Sequence, residues 1–185
     1  MEPTIAKSYD TISYNLKAAG FTHEPISKDM ELPVFTATHP NGVSVFVLYH
    51  LERMSKTTLD NLVLNIKEKK DTDIIYIVTG SNPLDNLRSQ LKSDNTQQPY
   101  IIVANLWSLQ FRVLEHKYVP KHIILTDDEV VEFKTKYNIK DNSQIPEISR
   151  FDPVAQAIFM KPGQICKILR NEKATMSDYF YRVCI

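Results

Sequence analysis

Glu115 and Lys117, which we expect at the end of a strand, are spaced like the Glu-x-Lys pair of metal-dependent nucleases. Such an enzyme needs a second carboxylate nearby, because acidic groups hold the Mg²⁺ ions that act on the scissile phosphate. Asp73 and Asp85 are the only loose candidates for that carboxylate, and nothing in the sequence places either beside Glu115. A nuclease-fold enzyme using Glu115 and Lys117 therefore stays open as an alternative. We do not expect active cleavage and assign no catalytic residue.

Two histidines and two cysteines form a second set, with side chains of the types that bind zinc. The cysteines are far apart in the chain and fall in separate predicted strands, unlike the close Cys pairs of structural zinc sites. Two cysteines are also too few for a disulfide framework, so reduced thiols packed inside an intracellular protein are the better interpretation. We expect no metal and no cofactor. The four residues are His116, His122, Cys166 and Cys184.

Basic side chains on two predicted helices are the third candidate set, because they could approach DNA phosphates. Three lysines at the end of the second helix fit a solvated helix face better, since neighbouring acidic residues balance their charge. An arginine and a lysine that follow a turn at Pro83 are the stronger candidates. The two groups are Lys67, Lys69 and Lys70, and then Arg88 and Lys92.

The chain as a whole has no excess of either charge, with 22 Lys plus Arg and 22 Asp plus Glu. Before His116 there are 11 basic and 13 acidic residues, and from His116 onward there are 11 and 9. Neither part resembles a protein that binds nucleic acid unaided. Any DNA contact should therefore be weak, sequence-independent and assisted by partners. No apolar run approaches the ~20 residues needed to cross a bilayer, so no membrane contact is expected.

The hydrophobic pattern predicts the elements that position these candidates. In the first part of the chain, an amphipathic helix ending at Gly20 precedes two strands joined by the hairpin signal Asn41-Gly42. A helix capped by Ser55 follows, and after it come two strands whose apolar runs indicate burial on both faces. Strands of this kind separated by helices are typical of parallel pairing in an α/β unit. Near the end of 106–113 we also expect a strand. The predicted elements are helix 5–16, strands 34–38 and 43–49, helix 56–70, strand 73–79, helix 83–92 and strand 100–104.

The second part of the chain predicts an α+β unit. A Thr126-x-x-Glu129 capping box opens one helix, and Asp152 followed by Pro153 predicts the N-cap and first turn of another. The buried face of the first of these helices should come from Val130, Phe133 and Tyr137. The predicted elements are strand 122–125, a helix from 127, a helix from 153 to 157 or beyond, a turn at 161–164, and strands 165–170 and 179–185.

Several short blocks in this second part resemble the fifth subunit of eukaryotic-type DNA-directed RNA polymerases and its archaeal relative. The blocks appear in the family's order and close to its spacing, which chance would seldom produce. They begin with His116-Lys117-Tyr118-Val119-Pro120-Lys121-His122 and continue with Tyr137, Ile145-Pro146, Asp152-Pro153-Val154-Ala155, Gly163-Gln164, Lys167-Ile168, Arg170 and Tyr181-Arg182.

The chain also departs from the family's pattern. Lys117 and Tyr118 stand where the family usually has other residues, and Phe159 replaces a glycine. The loop 171–178 lacks the family's Ser and its Ala-Gly turn. The first part of the chain is similar, more distantly, to the eukaryotic jaw domain, and its turn at 82–85 keeps only the proline. These departures favour a divergent or viral polymerase over a conserved cellular one.

The resemblance implies a nuclease-like three-layer α/β jaw domain at 1–113 and a smaller α+β assembly domain with a mixed sheet at 114–185. It implies a non-catalytic subunit whose assembly domain docks on the largest subunit of the polymerase core. The jaw would lie beside downstream duplex DNA, with Pro83, Arg88 and Lys92 nearest to it. We expect one copy in a larger complex and no homo-oligomer. The location would be the nucleus for a cellular source, and the virion or the host cytoplasm or nucleus for a virus.

The matching residues of the assembly domain imply a structural motif. The aromatic run Tyr179-Phe180-Tyr181 cannot all face one small core, because successive strand residues point to opposite faces, so a partner should cover part of it. A free-standing transcription regulator that kept this domain stays open as an alternative. The motif comprises His116, Val119, Pro120, His122, Asp152, Pro153, Gly163, Gln164, Arg170, Tyr181 and Arg182.

Overall fold

The chain forms two compact units, Met1–Arg112 and Val113–Ile185, in a computed structural model. The structure describes residues 2–24, 34–66, 69–81, 88, 89, 91, 99–170 and 178–185. Across these ranges, the helices are all too short or too polar to cross a membrane.

The first unit begins with helix α1 (Pro3–Ala18), which has proline in its first turn and Ala19 as its C-cap. Gly20 then takes a φ of 85°, the left-handed conformation that ends helices and that glycine adopts without steric cost. The apolar stripe predicted for this helix is confirmed in its burial. Its buried apolar residues are Ile5, Ile12 and Leu16.

A four-stranded mixed sheet forms the centre of the first unit, in the order β1-β2-β3-β4. The hairpin predicted around Asn41-Gly42 is confirmed, because β1 and β2 pair antiparallel across that turn. The parallel pairing predicted for the later strands is also confirmed, for β2 with β3 and for β3 with β4. The strands are β1 (Phe35–Thr38), β2 (Ser44–His50), β3 (Ile74–Thr79) and β4 (Tyr100–Asn105).

Helix α2 (Lys56–Asn65) connects the parallel strands β2 and β3. Its predicted cap is confirmed: the Ser55 hydroxyl accepts a 3.1 Å hydrogen bond from the Thr58 amide. The apolar spacing of Leu59, Leu62, Val63 and Ile66 predicts an inward face, and that prediction is only partly correct, since Leu59 is the buried residue of the helix. Leu62, Val63 and Ile66 are half-buried, and the helix already ends at Asn65.

The strand expected near the end of 106–113 is wrong, because this segment forms 3-10 turns at Ser108–Gln110 and Val113–Glu115. The side chain of Asn105 accepts a hydrogen bond from the Trp107 amide at 2.8 Å, and the Ser108 hydroxyl donates to the Asn105 carbonyl at 2.7 Å. These bonds fold the chain back at the end of β4. Most of the helix predicted at 83–92 lies outside the described residues. Within this range the structure describes Arg88, Ser89 and Leu91, and all three are helical.

The second unit is α+β with a mixed sheet, as predicted. Its strand order is β5-β7-β8-β6, in which β7 pairs antiparallel with β5 and β8, while β6 runs parallel to β8. The strands are β5 (His122–Ile124), β6 (Glu147–Ile148), β7 (Ile165–Arg170) and β8 (Asp178–Cys184).

Helices α3 (Asp127–Lys136) and α4 (Pro153–Ala157) pack on opposite faces of this sheet. Alternate residues of β7 and β8 contribute to two separate cores, because successive strand side chains point to opposite faces. The core on the α3 side contains Leu125, Phe133, Ile145, Ile165 and Val183. The core on the α4 side contains Ile148, Ala155, Met160, Cys166, Ile168 and Cys184.

Candidate assembly surface

The motif residues of the second unit begin in a hydrogen-bonded turn before β5. The Val119 amide donates to the His116 carbonyl at 2.9 Å, and the Tyr118 amide donates to Nδ1 of His116 at 3.4 Å. At the end of the turn, Nδ1 of His122 donates to the Pro120 carbonyl at 2.7 Å. The chain enters the sheet through these local bonds, in which both histidines take part.

The charges of residues from three other motif blocks act on the imidazole of His122. Its pKa is lowered from the usual 6.5 mainly by burial, and the positive charges of Arg182 and Arg170 lower it further. The hydrogen bond to Pro120 and the carboxylate of Asp152 act in the opposite direction. Charges from residues that are far apart in sequence thus influence one imidazole, and the net effect of burial and these charges favours its neutral form.

Asp152 is the N-cap of α4, as predicted. Its carboxylate accepts hydrogen bonds from the Val154 amide at 2.8 Å and the Ala155 amide at 3.4 Å, while Pro153 occupies the first helical position. These bonds satisfy amides that would otherwise lack partners at the start of the helix. Asp152 and Pro153 therefore fix where α4 begins.

Gly163 and Gln164 form the turn that leads into β7. Gly163 has a φ of 86° and donates its amide to the Cys184 carbonyl at 2.9 Å. The Gln164 side chain accepts from the Lys161 amide at 2.7 Å. A glycine is favoured at Gly163 because of this left-handed backbone, and not because of crowding, since a Cβ there would meet no atom within 4 Å.

The last three motif residues lie on β7 and β8. The guanidinium of Arg170 lies 4.7 Å from the centroid of the Phe180 ring, and that of Arg182 donates to the Glu147 carbonyl at 2.7 Å. Tyr181 stacks on Phe133 of α3, with ring centroids 4.1 Å apart. These contacts join neighbouring strands and attach α3 to the sheet.

An exposed surface with aromatic and basic residues extends along the α3 side of the sheet. Ile123 and Tyr179 are 41% and 49% exposed, and Lys167, the partner of Ile123 in the sheet register, lies with its ammonium 4.6 Å from the Tyr179 ring centroid. Tyr137, predicted to be buried, is 51% exposed, because it is the C-cap of α3, and its ring contacts those of Phe133 and Tyr181 at the edge of the core.

The two histidines and two cysteines weighed as zinc ligands do not form a metal-binding cluster in the described part of the chain. Among the residues that the structure describes, no group of three or more His, Cys, Asp or Glu side chains could hold a metal ion. Both cysteines are buried free thiols, in β7 and β8. Burial raises the pKa of both thiols, that of Cys184 to about 11.

The pair Glu115 and Lys117, which has the spacing of a nuclease site, does not lie at the end of a strand. Glu115 ends the 3-10 turn Val113–Glu115, so the expectation for that segment is wrong. Asp73 is buried, and its carboxylate accepts from the amides of Ser44 at 2.9 Å and Lys70 at 2.7 Å. Asp73 therefore supports the start of β2 and the approach to β3. Asp85 lies outside the described residues.

The predicted DNA-proximal residues can be located only in part. Arg88 is exposed and helical, whereas Pro83 and Lys92 lie outside the described residues. Of the lysines after α2, Lys70 is exposed and Lys69 is half-buried, with its ammonium donating to the Val63 carbonyl near the helix end. Lys67 lies outside the described residues.

Sequence reasoning missed Arg150, a buried arginine that is only 4% exposed. Its guanidinium lies 5.7 Å from the Phe151 ring centroid, and its amide donates to the Ile185 carbonyl at 2.8 Å. A single arginine in a polar segment has no periodic pattern, so nothing in the local sequence distinguishes it from a solvated residue.

Comparison with known proteins identifies the family. Residues 111–184 match the family described as RNA polymerase Rpb5, C-terminal domain. The chain is 38% identical over 145 residues to the Dictyostelium discoideum protein named DNA-directed RNA polymerases I, II, and III subunit rpabc1, covering 77% of this chain and 72% of that protein. It is 31% identical over 114 residues to the RPABC1 subunits of Caenorhabditis elegans and Caenorhabditis briggsae.

The match to the two Caenorhabditis proteins covers 60% of this chain and about half, 51%, of their length. The Dictyostelium match extends over more than two thirds of both proteins, so the likeness is not confined to the second unit. The sequence blocks, the mixed sheet and these relatives agree, and the chain belongs to the Rpb5 family of RNA polymerase subunits.

Proposed function

We propose that this protein is a non-catalytic subunit of a multisubunit DNA-directed RNA polymerase. The observation that carries the proposal is the 38% identity to a relative named as a subunit shared by polymerases I, II and III. Each polymerase would hold one copy, without homo-oligomers, and in a cell with a nucleus it would work there. The nucleotidyl transfer would belong to other subunits.

In this proposal the assembly domain, residues 114–185, docks on the largest subunit of the polymerase core. The aromatic and basic surface of its sheet supports this role. Ile123, Tyr179 and Tyr137 together expose apolar area that α3 does not cover, and Lys167 lies among them. Aromatic residues with flanking cations are frequent in protein interfaces.

The N-terminal jaw domain, residues 1–113, would project toward downstream duplex DNA. Its mixed sheet, in which helix α2 connects the parallel strands β2 and β3, is compatible with the nuclease-like three-layer fold that the resemblance implies. Arg88 is the described residue that would approach phosphate, and Pro83 and Lys92 are the other residues to which the resemblance assigns this role. A few such cations on a neutral chain would guide DNA weakly and without sequence preference.

Affinity capture of the tagged full-length chain from its source tests the assembly role. We expect recovery of the largest polymerase subunits at one copy each, and loss of that recovery for residues 1–113 alone. Tyr179→Asp should weaken capture because it places a charge in the docking surface. Leu64→Asp, at a residue 71% exposed on α2, is the matched control and should not.

Two results would contradict the proposal. If residues 1–113 alone still captured the polymerase core, the second unit would not be the docking domain. If the full-length chain were recovered far below one copy per polymerase, a free-standing regulator would describe it better. Salt-sensitive crosslinking to downstream DNA, reduced in Arg88→Glu, tests the jaw role separately.

A further inference from the structure

Tyr118 is the most exposed of the large apolar side chains among the residues that the structure describes, at 82%. It lies in residues 116–121, here called the Tyr118 loop, between the 3-10 turn Val113–Glu115 and strand β5. The loop residues beside it, Val119 and Pro120, are half-buried. A tyrosine in this position contributes little to the core of its own unit.

The backbone on both sides of Tyr118 is fixed by local hydrogen bonds. The His116 amide donates to the Val113 carbonyl at 3.2 Å, and the amides of Tyr118 and Val119 both donate to His116. Pro120 further restricts the backbone. An exposed aromatic on a backbone that is already ordered loses little conformational entropy on binding, which favours affinity.

The Tyr118 loop is also basic. Lys117 and Lys121 are exposed, and the chain contains no Asp or Glu between Glu115 and Asp127. The ammonium of Lys117 lies 5.8 Å from the centroid of the Tyr118 ring, and the imidazole of His116 lies at 5.8 Å from the same ring. The tyrosine is thus displayed among cationic and polar groups, and a surface that receives it should be acidic.

We propose that Tyr118 inserts into a pocket rimmed by acidic side chains on the largest polymerase subunit, with Lys117 and Lys121 facing those acids. This rests on the proposed function and adds a contact point with a defined partner chemistry. Tyrosine anchors in pockets commonly dominate interface energy, while rim charges accelerate association. A protein surface fits better than nucleic acid, because the chain is neutral overall and two lysines offer few phosphate contacts.

The test uses the full-length chain and polymerase core, purified from the same source and stripped of its own copy of this chain. Tyr118→Ala should weaken binding to the core about 30-fold, the loss typical of a hot-spot residue. Lys117→Glu combined with Lys121→Glu should slow association about tenfold at about 0.05 M salt, and much less at about 0.5 M salt, where charges are screened. Trp107→Ala, at a residue 63% exposed in the first unit, and Lys140→Glu are the aromatic and charge controls.

All of the substituted side chains are exposed, so the variants should keep the melting temperature of the wild type. If the wild type binds the core and the Tyr118 and lysine variants bind equally well, the inference is wrong and the proposed function stands. If the wild type itself does not bind, both fail. If the lysine variant loses binding to labelled duplex DNA or single-stranded RNA while its binding to the core is unchanged, the loop contacts nucleic acid and the inference is again wrong.

Discussion

The ring of Tyr181 in β8 lies stacked on the ring of Phe133 in α3, with centroids 4.1 Å apart and planes inclined by 26°. Phe133 is the buried residue of α3, and Tyr181 is partly buried against the same core. This pair is therefore a principal attachment between α3 and the sheet. Tyr137 extends the cluster, with its ring 5.3 Å from that of Phe133.

Replacing Phe133 by alanine should reduce the free energy of unfolding by about 3–5 kcal/mol, because it removes a buried ring and leaves a cavity. Urea denaturation of the full-length chain measures this loss. Tyr181→Phe keeps the stacked ring and should change stability far less. A loss below about 1 kcal/mol for Phe133→Ala would show that α3 is held mainly by other contacts.

Much of the second unit could be predicted from short-range signals. The capping box of Thr126 and Glu129 is present, with the Glu129 carboxylate accepting from the Thr126 amide at 2.9 Å. Asp152 caps α4 as its position before Pro153 indicates. Such signals succeed because both partners lie within a few residues of each other.

Long-range relationships could not be predicted in the same way. The electrostatic influence of Asp152, Arg170 and Arg182 on His122 depends on strand register, which no local pattern specifies. The apolar residues after β4 predict a strand, but the side chain of Asn105 bonds the backbone and turns it. Helical spacing predicts a buried Tyr137, yet this residue lies at the helix end and is half exposed.

His122 should make stability depend on pH. Its pKa is lowered in the folded chain from 6.5, chiefly by burial, so the unfolded chain binds more protons just below that pH. Stability is therefore fully present above about pH 6.5 and decreases as the pH falls toward the folded pKa. The free energy of unfolding, measured in urea between about pH 7.5 and about pH 5.5, should decrease less in His122→Gln than in the wild type.

The exposed His116 provides the comparison for this experiment, because His116→Gln removes a histidine from the same unit without removing the buried one. Equal pH dependence in the wild type and in His122→Gln would contradict the role assigned to His122. Both variants should be measured in full-length protein with a two-state check, since the chain has two units.

The two thiols should be unreactive in the folded protein. Burial raises the pKa of both, and at about 11 for Cys184 the thiolate fraction at about pH 8 is on the order of one in a thousand. A thiol-specific reagent should therefore label neither Cys166 nor Cys184 rapidly in native conditions, and both in strong denaturant. Fast labelling of one thiol in the native protein would show that its side of the sheet opens.

At Phe159, the stabilisation from a buried ring opposes the energetic cost of a left-handed backbone conformation. This residue is 5% exposed and has a φ of 56°, which is a strained conformation for a bulky residue. Phe159→Gly would remove about 1–2 kcal/mol of left-handed strain but also a buried ring worth about 3–5 kcal/mol. We therefore expect net destabilisation, by about 2 kcal/mol, in urea denaturation.

Asn138, with a φ of 51° at the exposed end of α3, is the matched control for that variant. Its side chain is not buried, so Asn138→Gly relaxes the backbone without loss of packing and should stabilise slightly, by about 0.5 kcal/mol. The opposite signs would show that packing outweighs strain at Phe159. If Phe159→Gly were instead more stable than the wild type, the ring would contribute little to the core, and backbone strain would be the larger effect at this position.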